Sequence, residues 1–270
     1  MPRKISPEQL IPLIGAADCP VIIDVRREQA LRSSSTRIGG SIWRNHMAAN
    51  DWGRDLATPV VVYCAHGHNV SALAASLLAA DGIDVSILEG GIEAFAAAGG
   101  LLVACQAPGV DVSLGKPSVW VTRERPKIDR IACPWLIRRL IDPRSVFHFV
   151  PAEWVKDIAD ELGAIPFDIE GVQYSHRGET CTFDTLISEF AIADPALAHL
   201  ARIVRGADTA RLDLEPQSAG LLAISLGLSA IESDDLRQLE AGMPIYDALY
   251  GWCRYATEER HNWPAKAVAI

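Results

Sequence analysis

No apolar run in this 270-residue chain is long enough to span a bilayer. The opening MPRKISPEQL has neither an apolar core nor a small-residue cleavage site, so no membrane anchor and no secretory leader is expected. Closely spaced cysteines are missing as well. The six stand at 19, 64, 105, 133, 181 and 253, no pair nearer than Cys105 and Cys133. That excludes paired redox motifs and zinc-finger spacing and fits free thiols in a reducing cytoplasm. Positive charge is scarce: 25 Lys and Arg face 34 Asp and Glu, a net charge of −9, which argues against a nucleic-acid partner. There is no fixed-period repeat and no low-complexity tract. What is present is a 49% hydrophobic composition, ample for sizeable cores and, at this length, for two domains.

The chain changes texture part-way. In residues 1–103 the short apolar runs CPVIIDVR (19–26), PVVVYC (59–64) and VSILEGG (85–91) read as buried strands. SPEQLIPLIGAA and VSALAASLLAADG between them have helical spacing. Such alternation predicts a parallel sheet flanked by helices. Residues 104–118, ACQAPGVDVSLGKPS, carry two prolines and two glycines and read as a loosely held linker. Residues 119–270 predict a mostly helical α+β domain: strands at VWVTR and VFHFV, then helices over 153–163, 184–192, 195–205, 217–231, 233–241 and 244–258.

Cys64 occupies a distinctive place in VVYCAHGHNVSALAASLLAA (61–80), between a buried strand and a helix. A helix N-terminus presents unpaired N–H groups and partial positive charge. A preceding loop that curls around one point aims further N–H groups inward, and Gly67 permits the backbone angles this needs. A thiol at the base of such a loop is expected to ionise more readily than a free one. The same cradle would steady an anionic adduct such as a persulfide. The plain alternative is a small buried hydrophobe at a strand end. His66 and His68 read as solvated loop residues, as a cationic neighbour that lowers the thiol further, or as metal ligands with Cys64.

The first half resembles a rhodanese domain over roughly its full length. The resemblance rests on IIDVR (22–26), CAHGHNVS (64–71) and LEGGIEAF (88–95). It implies an α/β rhodanese-like parallel sheet with flanking helices. It also implies Cys64 as the catalytic persulfide carrier, with Ala65, His66, Gly67, His68 and Asn69 as its substrate-binding cradle and Asp24 and Arg26 as a structural pair nearby. The implied activity is that of a sulfurtransferase of the thiosulfate type, with a small sulfur donor and a thiol or cyanide-like acceptor as partners and no membrane. Two departures stand out. Asn69 occupies the place of a loop arginine that often helps hold an anionic donor, and STRIGGSIW replaces the family's Gly-His-Ile region. Val70 also stands where a phosphatase of the related branch needs its clamping arginine.

In the second half, VWVTRERPKIDRIACPWLIRRLIDP (119–143) concentrates Arg and Lys, either as an exposed basic face or as an anion site of Arg123, Lys127 and Arg130. YSHRGETCTFDTLISEF (174–190) gathers ligand-type side chains in one stretch, and IVRGADTAR (203–211) ends a helix at Gly206 and puts Asp208 just beyond. His176, Glu179, Asp129 and Asp208 are expected to converge on one polar pocket near Arg123 and Arg130, where they would pair with the cations or share a divalent Mn, Fe or Zn ion. The alternative is a set of separate caps and surface ion pairs. Residues 119–257 resemble the C-terminal domain of the chromate-resistance protein family, through WVTRERPKIDRIACPWLIRR, SHRGETCTFD, IVRGADTAR and LEAGMPIYDALY. That resemblance implies a link to chromate or oxidative stress. Two functional classes follow: a sulfurtransferase whose second domain selects its donor or acceptor, or a non-catalytic redox sensor or oxyanion- or metal-binding module.

Overall fold

The computed structural model describes residues 2–53, 56–112 and 116–259. Its first half is organised by short, mostly β-branched runs. β1 (Arg3–Ile5), β2 (Val21–Asp24), β4 (Ile42–Trp43), β5 (Val60–Tyr63) and β6 (Val85–Leu88) form an all-parallel sheet in the order β1-β6-β5-β2-β4. Between the strands run α1 (Pro7–Leu10), α2 (Glu28–Arg32), α3 (Ala49–Trp52), α4 (Asn69–Ala80) and α5 (Gly91–Ala97). Every residue of β5 is buried, as expected of a strand covered on both faces. Side chains alternate across a strand. Val61 and Tyr63 therefore enter one core with Leu10, Leu88 and Phe95, while Val60, Val62 and Cys64 enter another with Ala74, Ala75 and Leu78 of α4. The strand's period thus places Cys64 against the face of α4.

The expected loose linker is otherwise arranged. β3 (Thr36–Ile38) pairs antiparallel with β7 (Leu102–Ala104), and β8 (Gln106–Ala107) pairs with β9 (Val110–Asp111). Cys105, Val110 and Val112 are buried. Ala104 N–H donates to Phe190 O at 2.9 Å, and Tyr174 Oη donates to Pro108 O at 2.8 Å. The few-contacts expectation is corrected for 104–112, because Val110 and Val112 enter a core shared with the second half and two of the segment's backbone groups bond to it. Residues 113–115 of the expected linker, like 260–270 at the end of the second domain, lie outside the described residues.

One hydrophobic core runs through both halves, from Leu10, Ile14, Ile38 and Phe95 to Trp120, Leu136, Leu140 and Tyr250. The STRIGGSIW segment is shaped by this contact. Buried Arg37 donates to Ser41 O at 2.8 Å, to Val112 O at 2.9 Å and to Ile141 O. Gly40 has φ +71°, donates to Leu140 O at 2.7 Å, and leaves no room for a Cβ, which would meet Arg139 O at 2.7 Å. The departure from the rhodanese pattern in this stretch is therefore where the second half docks.

The second half has a parallel three-stranded sheet, β10 (Val119–Arg123) between β11 (Val146–Val150) and β12 (Ile165–Pro166). Around it pack α6 (Asp129–Leu136), α7 (Val155–Leu162), α8 (Thr182–Glu189), α9 (Pro195–Asp208), α10 (Gln217–Ile231) and α11 (Asp235–Tyr255). Two helix expectations change, at 233–258 and at Gly206. The two segments 233–241 and 244–258 are one helix that carries Pro244 inside it. Pro134 likewise sits inside α6, which relaxes into a π turn at Ile137–Ile141. Gly206 does not end α9 but lies within it, because a Cβ there would meet Ser218 Oγ at 2.3 Å; the glycine lets α10 approach. Among the described residues no helix is long and apolar enough to cross a membrane.

Candidate functional site

Cys64 follows the last residue of β5 and is 6% exposed. Its Sγ lies 3.3 Å from Ser71 Oγ in the first turn of α4, and Ser71 Oγ in turn donates to His68 O at 2.9 Å. Burial pushes this thiol up. The Ser71 hydroxyl and backbone hydrogen bonds at His66, Ser71 and His68 pull it down and prevail, so Cys64 rests below the ordinary thiol range. No other cysteine shares this state. Burial pushes Cys19 and Cys253 up to about 11 and raises Cys105, Cys133 and Cys181. All six are free.

The loop is held from below by the turn after β6. Ile92 N–H donates to Cys64 O at 2.9 Å and Glu93 N–H to Ala65 O at 3.3 Å. Gly91, at φ +62°, leaves no space for a Cβ, which would strike Cys64 O at 2.3 Å and Ala65 O at 2.5 Å. Gly67, at φ +71°, is pressed against Leu88 O in the same way. The two glycine-bearing motifs are thus two sides of one backbone contact. His66 pairs with Glu93 at 2.9 Å on the surface, and neither it nor His68 joins Cys64 in a metal-ligating group among the described residues.

Asp24 and Arg26 form the expected pair, fully enclosed. Arg26 Nη2 donates to Asp24 Oδ2 at 2.6 Å, Nε reaches both carboxylate oxygens, and the remaining donors reach Ser34 Oγ at 3.0 Å and Thr36 O at 3.1 Å. Tyr63 Oη, one residue before the cysteine, donates to Asp24 Oδ2 at 2.9 Å. The pair therefore fixes the end of β5 rather than touching the thiol. Cys64 opens on a cleft of about 340 Å³ whose walls include Ala65, His66, His68, Asn69 and, from the segment after β2, Arg26 and Arg27. Arg27 is exposed and was not singled out in the sequence. Only its position directly after the Asp-Val-Arg signature hinted at it.

A second site lies at the C-terminal ends of β10 and β12, the usual place for ligands on a parallel sheet. His176 Nε2 is 3.1 Å from Asp208 Oδ2, 3.4 Å from Asp168 Oδ1 and 3.5 Å from Asp129 Oδ2. Asp129, at the first turn of α6, is 0% exposed. It accepts from Thr182 N–H at 2.6 Å, while its Oδ1 has no hydrogen-bond partner among the described residues. Asp168 is held by Arg130 at 3.3 Å, Arg123 at 3.4 Å and Thr182 Oγ1 at 2.9 Å. The surrounding charges act as that geometry requires. Hydrogen bonds to Asp129 and Asp168 raise His176 to about 10, and burial with the charges of Asp129 and Asp168 raises Asp208 to about 7. Burial also raises Asp129, whereas Asp168, although burial opposes it, is pulled below the usual carboxylate range by His176, Thr182 and the two arginines.

His176, Asp129, Asp208, Arg123 and Arg130 thus converge as expected. Glu179 does not: its side chain is 85% exposed and pairs with Arg211 at 3.0 Å, because the bridge of Arg177 to Thr180 turns it outward. Lys127 is absent from the walls of the adjoining cleft, and burial together with the Arg130 and Arg125 charges lowers its ammonium. Asp168 takes the place expected of Glu179. Its backbone is left-handed at φ +53°, and Ile128, just before Asp129, is at φ +37°, a costly angle for a β-branched residue. Ser225 Oγ and Tyr246 Oη bond the Ile128 backbone at 3.0 and 2.9 Å and hold it there. The cleft beside the cluster, about 1010 Å³, is lined by Arg123, Lys156, Asp168 and His176.

A parallel sheet whose central strand delivers a cysteine into a backbone cradle, followed by a mostly helical α+β domain, defines a two-domain protein with a rhodanese-like first half. Comparison with known proteins agrees on both halves. A family model described as a rhodanese-like domain matches residues 6–98, and one described as the C-terminal domain of ChrB matches residues 120–253. A rhodanese-like domain is thus joined in this chain to a ChrB C-terminal domain. It is 32% identical over 133 residues to Protein ChrB of Cupriavidus metallidurans, a match covering 48% of this chain and 39% of that protein, well under two thirds of the relative's length. Among solved structures, it is similar to a rhodanese-related protein of Thermoplasma volcanium, at 29% identity over 37% of this chain and 97% of that one, TM-score 0.33. It is also similar to a rhodanese homolog of Thermus thermophilus, at 27% identity over 34% and 98%, TM-score 0.28.

Proposed function

We propose that the protein is a sulfurtransferase that carries sulfur as a persulfide on Cys64 and serves chromate or oxidative-stress resistance. The observation that carries this reading is the contrast among the thiols: Cys64 alone is held below the ordinary range, and it opens on a cleft with a cation at its wall. With thiosulfate as donor, the Cys64 thiolate attacks the outer sulfur. The bond between the two sulfurs breaks, and its electron pair leaves with sulfite. The terminal sulfur of the resulting persulfide, an anion, is received by the backbone donors of the loop. A cyanide or thiol acceptor then attacks that sulfur and the Cys64 thiolate is returned. Arg27 supplies near the thiol the positive charge that Asn69 does not, and so favours an anionic donor. The link to chromate or oxidative stress is supported by the resemblance of the second half to the chromate-resistance family. Incubation with thiosulfate and cyanide, with thiocyanate as readout, tests the reading. Turnover well above a Cys64→Ser control is expected; parity with that control would overturn it and leave a redox-sensing or oxyanion-binding loop.

A further inference from the structure

We propose that Asp129, His176 and Asp208 bind one divalent first-row cation of the Mn, Fe or Zn class. Two ligand atoms about 2.1 Å from a common metal lie roughly 3.0 Å apart at an octahedral edge and roughly 3.4 Å apart at a tetrahedral one. His176 Nε2 stands 3.1 Å from Asp208 Oδ2 and 3.5 Å from Asp129 Oδ2, and one ligand atom from each of the three residues lies within 4.8 Å of the others. Two of the three pairs already have the spacing of a coordination edge.

Charge and hydrogen bonding supply a second, independent observation. Asp168 has its own cations, Arg123 and Arg130, and a hydroxyl donor in Thr182. Asp129 and Asp208 have no arginine of their own: the His176 imidazole is their shared cationic neighbour, beside the Thr182 N–H on Asp129 and the Asp129 backbone N–H on Asp208. Asp129 is wholly buried and turns its Oδ2 to that cluster, while its Oδ1 has no hydrogen-bond partner among the described residues. A buried carboxylate oxygen without a donor is costly, and a cation would satisfy it. Two carboxylates and one imidazole suit Mn, Fe or Zn, and lack the thiolates that soft ions require. The neighbouring Cys181 Sγ lies 3.3 Å from Asp184 Oδ2, its thiol also lowers Asp129, and burial keeps it protonated. Three protein ligands leave coordination positions open. His176 is 41% exposed and lines the adjoining cleft with Arg123 and Lys156. Water or an anionic ligand would enter there. This site shares no residue with the Cys64 loop and stands or falls apart from it.

The test uses the full chain, treated with chelator and dialysed, in a Cys64→Ser background so that the thiol chemistry of the first site cannot contribute. Titration with MnCl2 followed by electron paramagnetic resonance of the free ion, and calorimetric titration with ZnCl2, are expected to show one site per chain. Asp208→Asn and His176→Ala should each weaken it by about 10-fold or more, and Glu179→Gln, on the surface, should leave it unchanged. Asp208→Asn keeps the side-chain shape and removes one of the crowded charges, so the metal-free variant should melt no lower than its parent. Added Mn²⁺ should raise the melting temperature of the parent and not of the variant. No saturable binding of either ion, or binding that survives both substitutions in folded protein, would overturn the proposal.

Discussion

The Cys64 loop and the carboxylate cluster solve opposite problems. The loop stabilises negative charge with almost no formal positive charge in contact: a hydroxyl and backbone hydrogen bonds from one short stretch do the work, braced by a glycine turn. The cluster gathers formal charge, three carboxylates against one imidazole and two arginines, from the ends of two strands, the start of one helix, the end of another and the loop before α8. A backbone site tolerates few changes of shape but many of outward side chain. A side-chain site depends on the fold to deliver each group, and its surplus charge invites a counter-ion. The two should therefore respond differently to substitution.

The largest effect is expected from Cys64→Ser, which should lower thiosulfate–cyanide sulfur transfer by roughly 1000-fold or more while leaving Mn²⁺ titration unchanged. Next comes the buried pair. Asp24→Ala strands the enclosed Arg26 guanidinium and should cost about 3–5 kcal/mol, read by chemical denaturation. Gly91→Ala must push the Cys64 and Ala65 carbonyls away, and should cut transfer roughly 100-fold by misplacing the thiol. Arg27→Ala should raise KM for thiosulfate by about 10-fold with little change in kcat, if that guanidinium binds the donor rather than the reacting sulfur. The smallest effect is that of Ser71→Ala. Its hydroxyl holds the thiol down, so its loss raises the Cys64 pKa. Alkylation by iodoacetamide, which follows the thiolate, should then keep its plateau at high pH and fall away at a higher pH than in the parent, with a several-fold slower rate near neutrality. An unchanged profile would show that the backbone donors suffice alone.

The same contrast explains what could be read in the sequence. The cysteine site was legible because β5, the loop and α4 are consecutive, so strand period, glycine and helix start all fall in one stretch. Arg27 was passed over because nothing local says that the segment after β2 folds beside the loop after β5. In the second half, Asp129, His176 and Asp208 stood out as ionisable groups interrupting apolar patterns. Asp168 did not, although it ends the run AIPFD as Arg123 ends VWVTR, and the parallel pairing of β10 with β12 brings the two ends together. Glu179 has the right chemistry at the tip of a turn that points it to solvent. The docking of the halves was hidden for the same reason: proline and glycine in 104–118 mark turns, and turns say nothing about burial of the Cys105, Val110 and Val112 side chains between them.

The central claim is that Cys64, alone among six thiols, accepts sulfur. The direct measurement is mass spectrometry of the full chain after brief exposure to thiosulfate, with peptide mapping under non-reducing conditions. One added sulfur atom is predicted, on the peptide containing Cys64, removed by cyanide with release of thiocyanate. Added sulfur on the peptides of Cys133 or Cys181, or none on Cys64 while the folded protein remains alkylatable there, would contradict it.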